Sequence, residues 1–239
     1  MLGRKRVRIF AGPNGSGKST LKGLIESHVN VGIYVNADEI SEALRTKARI
    51  DFSKFGLNVD ENSFEKGYSE WTIPTKRKWW IFKDNGITVT NPEMVEDYFA
   101  AFLADFVRNS LLGTVEVLSF ETVMSHPSKL EFITKAKQAG YKVYLYFISL
   151  PDPDLNVLRI ETRVKTGGHN VKSTKVKSRY YRTMNYLYDA IRLVDSAYLF
   201  DNSQTKPQLF AQKENGRLTI EGEYVPKWYQ TYVLDKIKD

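Results

Sequence analysis

The chain contains no cysteine, only three histidines, and no apolar run approaching the roughly 20 residues of a membrane span. Without thiols there is no disulfide framework, no thiolate zinc or iron-sulfur site and no cysteine nucleophile, which suits a reducing compartment. His28, His126 and His169 have no metal-ligand spacing, so a zinc centre is not expected. The start, Met1-Leu2-Gly3-Arg4-Lys5-Arg6, leads into a handful of apolar residues, too few for a secretory core. A soluble, cytoplasmic protein with no membrane partner is expected. No internal repeat or low-complexity tract is visible. At 42% hydrophobic and 26% charged the composition is that of an ordinary globular chain, which removes disordered, collagen-like and coiled-coil readings.

Charge is concentrated. The 35 basic and 28 acidic residues give +7, and residues 159–182 carry eight basic residues against Glu161 alone, again +7. Such a stretch reads as an anion site, or else as a solvated helical face.

Apolar runs bounded by turn residues alternate with longer helical patterns, the grammar of an α/β fold. Strands are expected at residues 7–10, 33–35, 115–120, 143–148 and 197–200, each nearly continuously apolar as parallel strands buried on both faces should be. Helices are expected from Thr20 to about 26, from Asn91-Pro92-Glu93 to about 112, from 125–127 to Gly140, from Asp152-Pro153 to Gly167-Gly168, and from about 174 to 194. Residues 50–91 break this alternation and contain Asp84-Asn85-Gly86, a hairpin signal. Residues 217–224 read as a short antiparallel strand or hairpin. The expectation is a single P-loop domain over 1–239: a five-stranded, mainly parallel sheet flanked by helices, with 50–91 inserted at its edge, 159–182 as a lid and an antiparallel C-terminal extension.

One motif sets the class. Gly12-Pro13-Asn14-Gly15-Ser16-Gly17-Lys18-Ser19 fits G-x-x-x-x-G-K-[ST], follows the first strand and precedes a helix at Thr20. Glycines let backbone N-H groups wrap phosphates and the helix N-terminus adds its positive dipole. Lys18 reaches the β and γ phosphates of ATP, and Ser19 offers a hydroxyl to Mg²⁺. Neither an L-S-G-G-Q-like signature nor an N-K-x-D motif occurs, which disfavours ABC transporter ATPases and GTPases.

Asp38, in Asn36-Ala37-Asp38-Glu39, lies just past the second strand, where open α/β sheets place their ligands. It suits the base that accepts a proton from a hydroxyl acceptor, or a helix cap, or both. Glu121 ends the third strand and suits a contact to a substrate hydroxyl or a Mg²⁺-bound water, or an ordinary ion pair with a lysine. Arg159 and Arg163 share a helix face before Gly167-Gly168, as a lid closing over a triphosphate would need. Arg179 and Arg182 share a face of the next helix. His169 reads as a loop-fixing hydrogen bonder or as a ligand. Lys76-Arg77-Lys78-Trp79-Trp80 interleaves basic and aromatic residues, so nucleic-acid end kinase or nucleic-acid-binding ATPase stands as the alternative, against a hairpin packed on the core.

Together, AGPNGSGKST (11–20), NADEI (36–40), FETV (120–123), the 159–171 segment ending in GGHNV and FDNS (200–203) resemble the zeta toxin family of P-loop kinases, specifically its GGH-bearing branch. The likeness covers residues 7–50 and 118–203. It implies an ATP- and Mg²⁺-dependent kinase acting on a small hydroxyl-bearing metabolite. The best understood members phosphorylate UDP-N-acetylglucosamine at the sugar 3′ hydroxyl. It also raises an antitoxin protein as a partner. Carried over, it makes Gly12 to Thr20 the ATP-binding loop, Asp38 the base, and Glu121 with Thr122 the substrate-side contacts. Arg159 and Arg163 become the lid arginines, with Arg163 and Arg179 or Arg182 as the wider-spaced alternative. Residues 50–91 match nothing in the family.

Overall fold

The computed structural model describes residues 5–71, 78–167 and 170–237. Its elements begin β1 (Arg6–Ala11), α1 (Lys18–Glu26), β2 (Ile33–Val35), α2 (Ala37–Lys47), β3 (Arg49–Asp51) and α3 (Glu61–Glu70). Next come β4 (Trp80–Phe82), β5 (Gly86–Val89), α4 (Asp97–Leu111), β6 (Val117–Thr122), α5 (Ser128–Gln138) and β7 (Lys142–Ser149). Then follow α6 (Pro153–Lys165), α7 (Ser173–Leu193), β8 (Ser196–Asp201), β9 (Gln208–Glu214), β10 (Arg217–Ile220), α8 (Lys227–Tyr229), a π-helical turn (Gln230–Leu234) and α9 (Asp235–Ile237). It divides into two compact units, one formed by the chain up to Gly32 and from Ser119 onward, the other by Ile33–Leu118.

In the first unit the strand order is β10-β9-β8-β7-β1-β6. β1 pairs in parallel with β7 from Arg6↔Lys142 to Ala11↔Phe147, and β7 with β8 from Tyr144↔Ser196 to Ser149↔Asp201. Val7, Val143, Leu145, Phe147, Ala197 and Leu199 are fully buried, which is why these strands read as apolar runs. The antiparallel extension starts earlier than its sequence suggests, because β9 pairs with both β8 and β10. Its hairpin turns at Asn215 and Gly216, both at positive φ (50° and 79°). With only Phe210 and Ala211 buried, β9 lacks the apolar run by which a strand is recognised.

The C-terminal end of α7 is closed by a side chain from this extension. Lys213 Nζ donates to the carbonyls of Ile191 (2.8 Å), Arg192 (3.0 Å) and Val194 (2.8 Å), oxygens that the helix itself cannot satisfy. Burial holds the Lys213 ammonium below its usual pKa, with the nearby Lys137 charge adding to the effect. Lys213→Met keeps the stem and removes the donors, so a loss of about 1–3 kcal/mol is expected. Thermal unfolding checks this, and an unchanged midpoint would show that water replaces the lysine at no cost.

The second unit joins the antiparallel sheet β3-β5-β4 to α2, α3 and α4. Its core is aromatic. The Phe64 ring meets those of Phe52, Trp80, Phe82, Phe102 and Phe106 at 5.1–5.8 Å, mostly tilted or edge-on as ring quadrupoles favour. The Asp84-Asn85-Gly86 signal forms the β4–β5 hairpin. Asp84 and Asn85 take φ of 49° and 53°, and Lys83 and Gly86 exchange backbone bonds of 3.0 and 3.1 Å, the type I′ arrangement. Phe52 and Phe64, from the 50–91 segment, thus share a core with Phe102 and Phe106 of α4.

The helix expected from Asn91 is interrupted. Pro92–Met94 form a 3-10 turn capped by Asn91, Val95 is extended, and α4 begins at Asp97. Val95 is buried and its carbonyl accepts from the Arg45 guanidinium of α2, which takes the acceptor a continuous helix would have used.

Candidate active site

The phosphate loop lies between β1 and α1. α1 begins at Lys18, two residues earlier than the sequence pattern suggests, so Lys18 and Ser19 occupy its first turn. Gly17 precedes it at φ 101°, with no side-chain cap and no acidic residue in the first turn. No side chain therefore competes for the first N-H groups of the helix. The loop is also held on its outer side. A Cβ on Gly17 would lie 2.4 Å from Asn202 Nδ2, and one on Gly15 would lie 2.7 Å from the Asn156 carbonyl oxygen.

Three functional groups converge next to the loop. Lys18 Nζ, on a residue only 8% exposed, donates to the Pro13 carbonyl at 2.9 Å and lies 3.9 Å from Glu121 Oε1. Ser19 Oγ donates to Glu121 Oε2 at 2.9 Å. Glu121, whose side chain is 9% exposed, is thus bound to the phosphate loop itself. β6 runs through Thr122, two residues beyond the expected end, so Glu121 is inside the strand and fixed by it. A serine hydroxyl and a carboxylate are hard oxygen donors, the kind that Mg²⁺ uses along with phosphate oxygens. Among the described residues there is no cluster of three or more His, Cys, Asp or Glu that would hold a metal by side chains alone.

Thr122 faces the loop through its backbone. Its carbonyl accepts from Gly12 N at 3.3 Å, and its hydroxyl accepts from Met124 N at 3.0 Å, shaping the turn after β6. That turn is tied to α7 by Thr183, whose hydroxyl meets the Val123 carbonyl (2.7 Å) and its own helix at Arg179 O (2.8 Å). The turn of α7 bearing Arg179 and Arg182 is therefore pinned beside the end of β6. Arg163 is exposed near the end of α6, and Gly167 follows at φ 89°. Gly168 and His169 lie outside the described residues. Arg159 is half-buried and donates to the Asn202 carbonyl at 2.7 Å.

In the second unit, α2 is capped by Asn36, whose side chain accepts from Asp38 N at 2.9 Å. The capping role considered for Asp38 is thus filled by its neighbour. Asp38 is exposed in the first turn of α2, and its carboxylate forms no hydrogen bond or ion pair among the described residues. A cavity of about 210 Å³ opens along α2, lined by Asn36, Glu39, Ile40, Ala43, Lys54 and Phe55 among others. Trp79 and Trp80 are buried at 7% and 1% exposure, so neither ring is a stacking platform for bases. Lys76 and Arg77 lie outside the described residues.

No protein-family model matches the chain. Over 60 residues, a quarter of its length, it is 37% identical to an uncharacterized protein of Haemophilus influenzae, of which the match spans 43%. Among solved structures, the AvrRxo1-ORF1:AvrRxo1-ORF2 complex with sulphate ions contains a chain that matches 91% of this one, with TM-score 0.59 and 14% identity. The same complex with ATP gives 0.55 over 92%, at 16% identity. A chain of the PezAT chromosomal toxin-antitoxin system of Streptococcus pneumoniae matches 97% of this chain and 79% of its own length, with TM-score 0.51 and 14% identity. The chain has the fold of these AvrRxo1 and PezAT chains. It spans 61% of the length of the AvrRxo1 chains it matches.

The sequence motifs locate the loop, Glu121 and the basic helices but not what braces them. Asn156 precedes the 159–171 segment on α6 and Thr183 follows the basic stretch on α7, so no motif includes either. Asn202 is inside FDNS, where only its presence, not its bond to the loop, is visible in the sequence. Among the described residues, no helix is long and apolar enough to cross a membrane.

Proposed function

We propose that the protein is an ATP- and Mg²⁺-dependent kinase that phosphorylates a hydroxyl group of a small metabolite, with a nucleotide sugar such as UDP-N-acetylglucosamine as the first candidate. The convergence of Lys18 and Ser19 on Glu121 carries this reading, since it places an ammonium, a hydroxyl and a carboxylate where a nucleoside triphosphate and its metal are held in P-loop enzymes. Ser19 and Glu121 would hold Mg²⁺, which would supply positive charge against the negative charge developing on the transferring phosphoryl group. Lys18 and the loop N-H groups orient the triphosphate. Arg163, with Arg179 or Arg182, neutralises the transferring group. Asp38 takes the proton of the acceptor hydroxyl as its oxygen bonds to the γ-phosphorus and the bond to ADP breaks. The toxin-antitoxin setting of PezAT supports an antitoxin as partner.

The deciding experiment offers ATP and Mg²⁺ with a panel of nucleotide sugars and nucleotides and looks for a phosphorylated product by mass spectrometry. ATP hydrolysis indifferent to every acceptor would overturn the kinase reading. Glu121→Gln keeps the shape and removes the charge, so the Mg²⁺ concentration for half-maximal activity is expected to rise about 10- to 100-fold. An unchanged Mg²⁺ dependence together with a raised KM for acceptor would move Glu121 to the substrate side.

A further inference from the structure

The outer wall of the phosphate loop is made by Asn156, Asn202 and Ile160, with Arg159 behind Asn202, and the two asparagines have no role assigned so far. Asn156 of α6 is fully buried and donates from Nδ2 to the Asn14 carbonyl at 2.7 Å. Asn202, at the end of β8 and 7% exposed, donates from Nδ2 to the Ser16 carbonyl at 2.8 Å, and its own N-H is held by Ser149 O at 3.0 Å. Arg159, three residues after Asn156 on the same face of α6, donates to the Asn202 carbonyl at 2.7 Å. Ile160 completes the wall, with Cγ1 3.2 Å from where a Gly15 Cβ would lie.

In a trans peptide the carbonyl of one residue and the N-H of the next point in opposite directions. Fixing the Asn14 carbonyl on Asn156 therefore turns the Gly15 N-H to the other side of the loop. Fixing the Ser16 carbonyl on Asn202 does the same for the Gly17 N-H. A flip of either peptide would exchange a donor for a carbonyl dipole of the wrong sign for phosphate. We propose that Asn156 and Asn202 are positioning residues that hold the loop amides toward the nucleotide, and that Arg159 belongs with them, as the brace of Asn202, and not with the lid arginines. The inference rests on the reading of this loop as a phosphate site.

It also divides the basic segment. Asn156, Arg159 and Ile160 all bear on the loop or its brace, so this stretch of α6 is one piece with the loop, and any closing movement begins beyond Ile160. Arg163, Arg179 and Arg182 are then the arginines left to reach the transferring group. A brace that supplies one hydrogen bond to a backbone carbonyl can be replaced by lysine, whereas a planar contact to a phosphoryl group cannot.

The test uses the full chain and two readouts besides turnover: calorimetric titration with ADP and Mg²⁺, and amide hydrogen exchange of the peptide covering residues 12–17. Arg159→Ala and Asn202→Ala are each expected to weaken ADP binding about tenfold and to speed exchange in that peptide, since each frees a loop constraint. Arg159→Lys should restore most of the affinity. Arg163→Ala should lower turnover without altering loop exchange. Where Asn202→Ala does not fold, Asn156→Ala gives the same measurement at the other carbonyl. If Arg159→Ala leaves both ADP affinity and loop exchange unchanged while lowering turnover, and lysine does not rescue it, Arg159 touches the transferring group and the inference is wrong. A protein that transfers no phosphate would end the kinase reading, yet loop exchange and ADP affinity would still decide this one.

Discussion

Lys18→Ala is expected to abolish detectable phosphoryl transfer and to weaken ATP binding, the largest effect of any single change. Lys18 is the one side-chain cation that the loop itself delivers, and it is buried beside Glu121 at 3.9 Å. Its removal does more than delete an attraction. The Glu121 carboxylate would remain near the phosphates without the ammonium that faces it, in a place where solvent screens poorly. A loss of at least about 10³ in kcat/KM follows for a group that acts on transition-state charge. Steady-state kinetics with a parallel melting curve would check it, and normal turnover in a folded variant would refute the phosphate-loop assignment.

Asp38→Asn is expected to act differently. Asn36 already caps α2 and the Asp38 carboxylate is exposed, so the amide should cost little stability. ATP binding should persist, because the base acts on the acceptor. Turnover should fall by about 10² to 10⁴, the usual range for loss of a general base. Comparison of ADP affinity with turnover in the same preparation separates these effects. A variant with near-normal turnover would leave Asp38 as no more than a favourable charge in the first turn of α2.

The parts of the fold legible in the sequence are those where one requirement dominates. β1, β7 and β8 are buried on both faces and so read as apolar runs, and the Asp84-Asn85 turn needs two positive φ values, so its residues announce it. Boundaries set by distant partners were not legible. Val95 breaks the helix after Pro92 because Arg45, fifty positions earlier, takes its carbonyl. β9 escaped notice because its pairing with β8 and β10 holds it in place with few buried side chains. At the site, the loop and Glu121 were legible as types, while the bond from Ser19 that ties Glu121 to α1 depends on how β6 lies beside the loop. Arg159 shows the limit most clearly. Its charge and spacing match those of Arg163, and only its bond to Asn202 separates a brace from a lid.

The arrangement of the two units bears on how the chain is made. The first unit is discontinuous: β1 lies between β6 and β7, so Arg6 waits for Lys142 to complete its pairing, whereas every contact inside Ile33–Leu118 is available once Leu118 has emerged. At ribosomal speeds of roughly 5–20 residues per second, the phosphate loop therefore spends on the order of ten seconds in a nascent chain in which β7 has not been synthesised. Long-range parallel pairing is also intrinsically slow. The aromatic unit is the part able to fold first on the ribosome, and the phosphate loop gains its supports from Asn156 and Asn202 only once α6 and β8 have been made.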